Sequence, residues 1–194
     1  MADNFDSDLM MRMAYILSDL GADLEGESMR RTPERWVQAM RELTKGYVVT
    51  DHILQKMLTT FPAEGADQMI VQHNIPVYSL CEHHILPFAG YAHIGYIPKD
   101  RIIGLSKFKR CVDVFARRFQ VQERLTRQIC NALQEHLDPR GVIVVVEAEH
   151  FCMTMRGTQT PGTLTTTSAV TGDFADPSQG SREEFMSLLG RVHR

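Results

Sequence analysis

No run in this sequence approaches the roughly 20 consecutive apolar residues that a membrane-spanning helix needs. The opening Met1-Ala2-Asp3-Asn4-Phe5-Asp6 is acidic, so it lacks the basic and apolar regions of a secretion signal. A large excess of charge of either sign is lacking too, with 21 Lys and Arg against 24 Asp and Glu. A net charge of −3 argues against general nucleic-acid or membrane-surface partners. Cysteines stand only at 81, 111, 130 and 152, without the regular spacing of a disulfide framework. A reducing, cytoplasmic setting is therefore expected, with Cys111 and Cys130 as small buried hydrophobes. No internal repeat or low-complexity tract is present. What remains is an ordinary globular composition, 43% hydrophobic and 23% charged, in 194 residues that suffice for one substantial core.

Periodicity divides the chain. Leu9, Met13, Ile16, Leu17 and Leu20 form one helical stripe, and Trp36, Met40 and Leu43 form a second after Thr32-Pro33. From Met69 the period becomes two, through Val71, His73 and Ile75 as far as Pro76, and Phe88–Ile97 reads as its partner strand. A helix opened by Ser106 and another over Gln122–Leu137 follow. The β-branched run Val142–Val146 is expected to continue as a strand through Cys152 towards Arg156, and Leu164–Val170 is a last strand before a C-terminal helix. The basic residues Lys107, Lys109, Arg110, Arg117, Arg118 and Arg124 read mostly as solvated helix faces. This order implies an α+β fold with an antiparallel four-stranded sheet and two helices between the strand pairs. It also divides the chain into a helical segment over 1–50 and a sheet-bearing segment over 51–194.

Chemistry concentrates in Cys81-Glu82-His83-His84. A thiolate and an imidazole three residues apart, Cys81 and His84, can close on one metal ion from a single turn. Cys152 is the expected third ligand, with His150 on the same strand face by alternation. Two sulfurs and one nitrogen with an open fourth position is the pattern of a catalytic rather than a structural zinc site.

The flanking words extend that reading. Gly104-Leu105-Ser106-Lys107, Gln120-Val121-Gln122-Glu123-Arg124-Leu125-Thr126, His150-Phe151-Cys152 and Met155-Arg156-Gly157 follow the cysteine–histidine motif in one order. From about Thr32 onward the sequence resembles GTP cyclohydrolase I. The resemblance implies the tunnelling fold, in which four-stranded sheets of neighbouring subunits join edge to edge. It also implies a homodecamer of two stacked pentamers with active sites between subunits. Its reaction opens the guanine imidazole ring at C8, releases formate and closes a new ring to give dihydroneopterin triphosphate.

GTP would need three kinds of contact. Zinc acidifies its bound water to a pKa of roughly 7. The resemblance places His83 and His150 beside the substrate as acid–base groups. Glu123, with Gln122 beside it, matches the carboxylate that accepts from the guanine N1–H and 2-amino group. Ser106, Lys107 and Arg110 open a helix whose backbone N–H groups favour the triphosphate, Arg156 shares the expected strand parity of Cys152, and Arg35 matches an arginine from a neighbouring subunit. Glu82 either orients a ligand or forms a structural ion pair.

Three alternatives stand beside this one. A tunnelling-fold nitrile reductase would use a cysteine nucleophile without zinc. A zinc deaminase would show His-x-Glu and Pro-Cys-x-x-Cys, which are absent. A non-catalytic zinc or nucleotide-binding protein would want a fourth protein ligand and no need of Glu123.

Overall fold

The structure is a computed structural model that describes residues 2–190, with nothing said of side chains before Asp6. Met1 and residues 191–194, the ends of the two expected segments, lie outside the described residues. The chain resolves into two compact units, Met1–Lys45 and Gly46–Arg194. In the first, α1 (Ala2–Asp19) packs on α2 (Thr32–Leu43), and an ion pair joins Arg41 to Asp6. No side chain caps α2, and proline occupies its first turn, where a missing N–H costs nothing.

The second unit opens with α3 (Asp51–Met57), whose first turn is closed by Thr50 accepting from the Ile53 N–H. A two-stranded ribbon pairs β1 (Thr60–Pro62) with β4 (Arg101–Ile103). The main sheet is built from β2 (Ile70–Cys81), β3 (Pro87–Ile97), β5 (Phe119–Gln120), β6 (Gly141–His150) and β7 (Leu164–Val170), in the order β5-β2-β3-β6-β7. Its four long strands are antiparallel, as the alternation implied. The fifth is the short β5, parallel to β2 through Leu80↔Phe119 and Cys81↔Gln120, so the four-stranded expectation is corrected to a five-stranded mixed sheet.

β2 runs straight through Pro76, where the sequence suggested an end. β5 reaches β2 only at Leu80 and Cys81, so Pro76 lies on an open edge, where a missing N–H is tolerated. Between Gln72 and Ile75 the register shifts, with Asn74 at φ 57.

One face of the sheet is covered by α4 (Leu105–Ala116) and α5 (Gln122–Leu137). Phe108, Val112, Leu125, Ile129 and Leu133 meet Val77, Phe88, Ile94, Val144 and Val146 in one continuous core. Each such side chain contributes on the order of 1.5–3 kcal/mol by leaving water. The other face carries a smaller cluster of Ile97, Ile143, Val145, Phe174 and Phe185, the last from α7 (Ser181–Gly190). Gly95 makes that packing possible, because a Cβ there would stand 2.6 Å from the Phe185 ring.

Connectivity decides where site residues fall. Ile70 pairs with Tyr96, so β3 ends beside the start of β2, and α4 begins just after β4 at that end. Its far terminus leads into β5 beside Cys81. The helix therefore carries the chain back along the sheet, with about 14 Å of helix axis between Lys107 and Ala116.

Candidate metal centre

Cys81 is the last residue of β2, 5% exposed and part of the main core. The hairpin turn to β3 is closed by backbone bonds from Cys81 N–H to Leu86 O and from Ile85 N–H to Cys81 O, both 2.8 Å. Ile85 closes it at φ 57, a left-handed conformation that a β-branched residue adopts only at a cost of roughly 1–3 kcal/mol. The turn presents both imidazoles to the Cys81 sulfur, with His83 Nδ1 at 3.7 Å and His84 Nδ1 at 3.9 Å. The rings then diverge, their planes 69° apart and centroids separated by 6.2 Å.

Cys152 arrives from the opposite side. The expected strand through Cys152 is corrected here: β6 stops at His150, and Phe151–Thr154 form the single helical turn α6. The chain has to leave the sheet there, because β7 returns beside Glu149 at Leu164. Alternation thus no longer relates His150, Cys152 and Arg156. Even so, the ligand atoms of Cys81, His84 and Cys152 all lie within 4.8 Å of one another. Donors on one tetrahedral zinc stand about 3.4–3.8 Å apart, so the group fits such an ion with slight closure.

Burial and the neighbouring Cys81 both push the Cys152 thiol up, while the Arg156 guanidinium opposes them. Adjacent sulfurs resist ionising together unless a cation lies between them. Cys111 and Cys130 behave otherwise. Burial pushes their thiols up to about 12 and about 11, which keeps them protonated inside the core.

His150 stacks on Phe88, with ring centroids 4.6 Å apart and planes within 10°. Its Nε2 lies 2.8 Å from Gln122 Oε1. Gln122 Nε2 faces the carbonyls of Val146 at 3.0 Å and Thr165 at 2.8 Å, and carbonyls only accept. The amide oxygen must therefore point at His150, so Nε2 of the imidazole carries the proton and Nδ1 is the basic atom. Burial lowers the pKa of His150 and the nearby Glu123 carboxylate partly offsets this, which favours the neutral ring at pH 7. Gln122 was expected beside Glu123 as a substrate contact. Gln122 is itself 2% exposed, and its side-chain amide is occupied in orienting His150.

Glu123 is exposed in the first turn of α5, one residue past its start. Glu82 forms an ion pair with Arg124, which draws the carboxyl below its ordinary range. Arg124 also donates to Gln120 Oε1 at 2.9 Å and to Phe119 O at 3.2 Å, and Glu82 N–H donates to Gln120 O at 3.0 Å. These bonds tie the turn that holds Cys81 and His84 to the start of α5. Arg124 and Gln120 were missed as site residues. An arginine in a helical pattern reads as solvated, and its partner is 42 residues away.

Ser106, Lys107 and Arg110 do not join the group within one chain. They occupy the opening turns of α4, which begins at Leu105 behind Gly104 rather than at Ser106, at the far end of the helix from Cys81. Arg35 is on α2 in the first unit, where its guanidinium reaches the Ser28 carbonyl at 3.5 Å. A 430 Å³ cavity lined by Arg127, Asn131, Ser168 and Arg182 includes none of the candidate residues.

A sequence model of GTP cyclohydrolase I matches residues 10–190. The chain belongs to the GTP cyclohydrolase I family. The GTP cyclohydrolase 1 of Chlorobaculum tepidum is 51% identical over 176 residues, covering 90% of this chain and 77% of that one. That of Porphyromonas gingivalis is 49% identical over 185 residues, covering 95% and 94%. An archaeosine synthase QueF-like protein, crystallised in the apo form, shares 18% identity over 54% of this chain and 93% of its own at a TM-score of 0.45. That likeness is too distant to bear on function. Membership in the GTP cyclohydrolase I family agrees with an α+β fold and with a Cys81, His84 and Cys152 group spaced to hold a metal ion. Among the described residues no helix is long and apolar enough to cross a membrane.

Proposed function

We propose that this chain hydrolyses and rearranges GTP to 7,8-dihydroneopterin triphosphate with release of formate, the entry step to tetrahydrofolate and other pterins. The observation that carries the reading is the convergence of Cys81, His84 and Cys152, with His150 oriented nearby, in a chain of this family. Cys81, His84 and Cys152 would hold Zn2+. When bound, zinc supplies a Lewis acid and acidifies water near neutral pH.

The remaining roles belong to side chains. His150, its Nε2 proton held by Gln122, accepts or returns a proton through Nδ1 at the purine ring. His83 leans on the same sulfur as His84 but diverges from it, and serves as the second acid–base group. Glu123 accepts from the guanine N1–H and 2-amino group as a charge-assisted pair. Arg156, close enough to Cys152 to act on its thiol, faces the anionic substrate.

Ser106, Lys107 and Arg110 take the triphosphate, and Arg35 contributes from another subunit. Ser106 and Lys107 stand a helix length from Cys81 in their own chain, which supports a site completed by a second copy. Exposed apolar side chains point the same way. Ile85, Met153 and Met155 flank the metal group, and Leu105 flanks Ser106, all left open in one chain. The assembly in this reading is a homodecamer of two stacked pentamers built on the tunnelling fold, with a helix pair in the 1–50 segment and the catalytic fold in 51–194, working in the cytoplasm.

The direct experiment incubates purified protein with GTP and measures formate together with a pterin that fluoresces after oxidation. A chelator should abolish both signals and added zinc should restore them. A fully active metal-free protein would contradict the reading.

A further inference from the structure

Cys152 and Arg156 ride on a long excursion. It leaves β6 after His150 and returns at Leu164, which pairs with Glu149 across the strands, so Glu149 stands at the root of the loop. Inside the excursion the backbone bonds are local: Met155 N–H to Phe151 O, Gln159 N–H to Arg156 O, Thr160 N–H to Met153 O and Thr163 N–H to Thr160 O. None of these reaches β6.

The Glu149 side chain does reach across. One carboxylate oxygen, Oε1, accepts from the Thr154 hydroxyl at 3.1 Å and from the Gly162 backbone N–H at 3.0 Å. The first donor ends the helical turn that bears Cys152, and the second lies just before the chain re-enters the sheet. Strand alternation turns Glu149 away from His150 and its partners Phe88 and Gln122, so the carboxylate serves the loop alone. Thr154 has a single hydroxyl proton and a second acceptor in the His150 carbonyl, also at 3.1 Å. The charged acceptor makes the stronger bond.

We propose that Glu149 is a positioning residue that closes the loop over residues 151–163 and so sets the Cys152 sulfur towards Cys81 and His84, and Arg156 towards the substrate. This rests on reading Cys152 as a metal ligand. The role requires an acceptor of the right length at Oε1, and charge is secondary. Glutamine keeps that oxygen, whereas alanine removes it and leaves the Gly162 N–H without its partner.

The test loads the full-length protein with zinc and times release to a chromophoric chelator. It compares the native chain with Glu149→Ala, Glu149→Gln and Thr154→Val, and measures KM and kcat for GTP and amide exchange at Gly162. Glu149→Ala should release zinc at least tenfold faster, raise KM severalfold with a smaller fall in kcat, and unprotect Gly162. Glu149→Gln should restore release and KM to within about twofold, and Thr154→Val should fall between. Native release and KM in Glu149→Ala would overturn the proposal, as would a glutamine variant as impaired as the alanine one. Should Glu149→Ala fail to fold, Thr154→Val decides, and native behaviour there would also overturn it. A native chain that holds no zinc contradicts the metal reading instead, which separates the two failures.

Discussion

Two segments bring the metal group together, and they are built differently. The turn from Cys81 to Leu86 is short, leaves a buried strand end, and is fixed by its own backbone bonds and by Arg124 on Glu82. The excursion from Phe151 to Thr163 is long, mostly exposed, and fastened to the sheet through the Glu149 carboxylate and the Thr154 hydroxyl on the His150 carbonyl. One supplies a sulfur and an imidazole from a tight turn, and the other a sulfur and a guanidinium from a long loop. The contrast teaches that the group joins one half held by local turn bonds to another held by contacts at the root of a loop.

Removing the sulfurs breaks the comparison most severely. Cys81→Ser and Cys152→Ser should each lose bound zinc and reduce turnover to background. Their stabilities should differ. A serine at Cys81 exchanges a weakly polar thiol for a hydroxyl in the main core, with only the two imidazole nitrogens near it, costing roughly 1–3 kcal/mol. Cys152 is half-buried in the loop, and its loss should stay within about 0.5 kcal/mol. Equal denaturation midpoints for the two variants would erase the distinction between a core-anchored and a loop-borne ligand.

A second comparison separates neighbours on α5. Gln122→Leu should lower kcat by roughly 10²-fold with KM little changed, because the acid–base atom of His150 is no longer defined. Glu123→Ala should instead weaken productive GTP binding, seen in kcat/KM, without disturbing folding. The smallest expected effect lies in the tight turn. Ile85→Asn keeps the left-handed conformation with less steric penalty, since asparagine visits it readily. It should raise stability by roughly 1 kcal/mol in urea denaturation. No gain would mean that Ile85 is not strained.

The sequence made one half of the site far more legible than the other. Cys81 and His84 could be paired because three residues of a tight turn hold them, so local spacing carries the information. Cys152 does come within reach of Cys81 and His84, but it was expected on a strand that does not extend that far. The β-branched run gives no sign of where pairing stops, because β7 decides that by returning at Leu164. Helices α4 and α5 followed from their periodicity, whereas β5 escaped notice because two residues make no pattern. The surroundings of Gln122 were hidden for a related reason. Beside Glu123 it looks like a second ligand contact, and only the tertiary approach of Val146, Thr165 and His150 reveals an interior amide. Arg124 acts across the fold in the same way, through a partner in Glu82 that spacing cannot supply.

The most direct test of the metal centre lies within the tight turn, where His83 and His84 both approach the Cys81 sulfur. Only His84 also closes with Cys152 into one ligand group. Zinc content per subunit and turnover should be measured together for His83→Ser and His84→Ser. The account predicts that His84→Ser loses both, while His83→Ser keeps near-stoichiometric zinc and loses on the order of 10²-fold in rate. A zinc-free His83 variant beside a fully loaded His84 variant would contradict it.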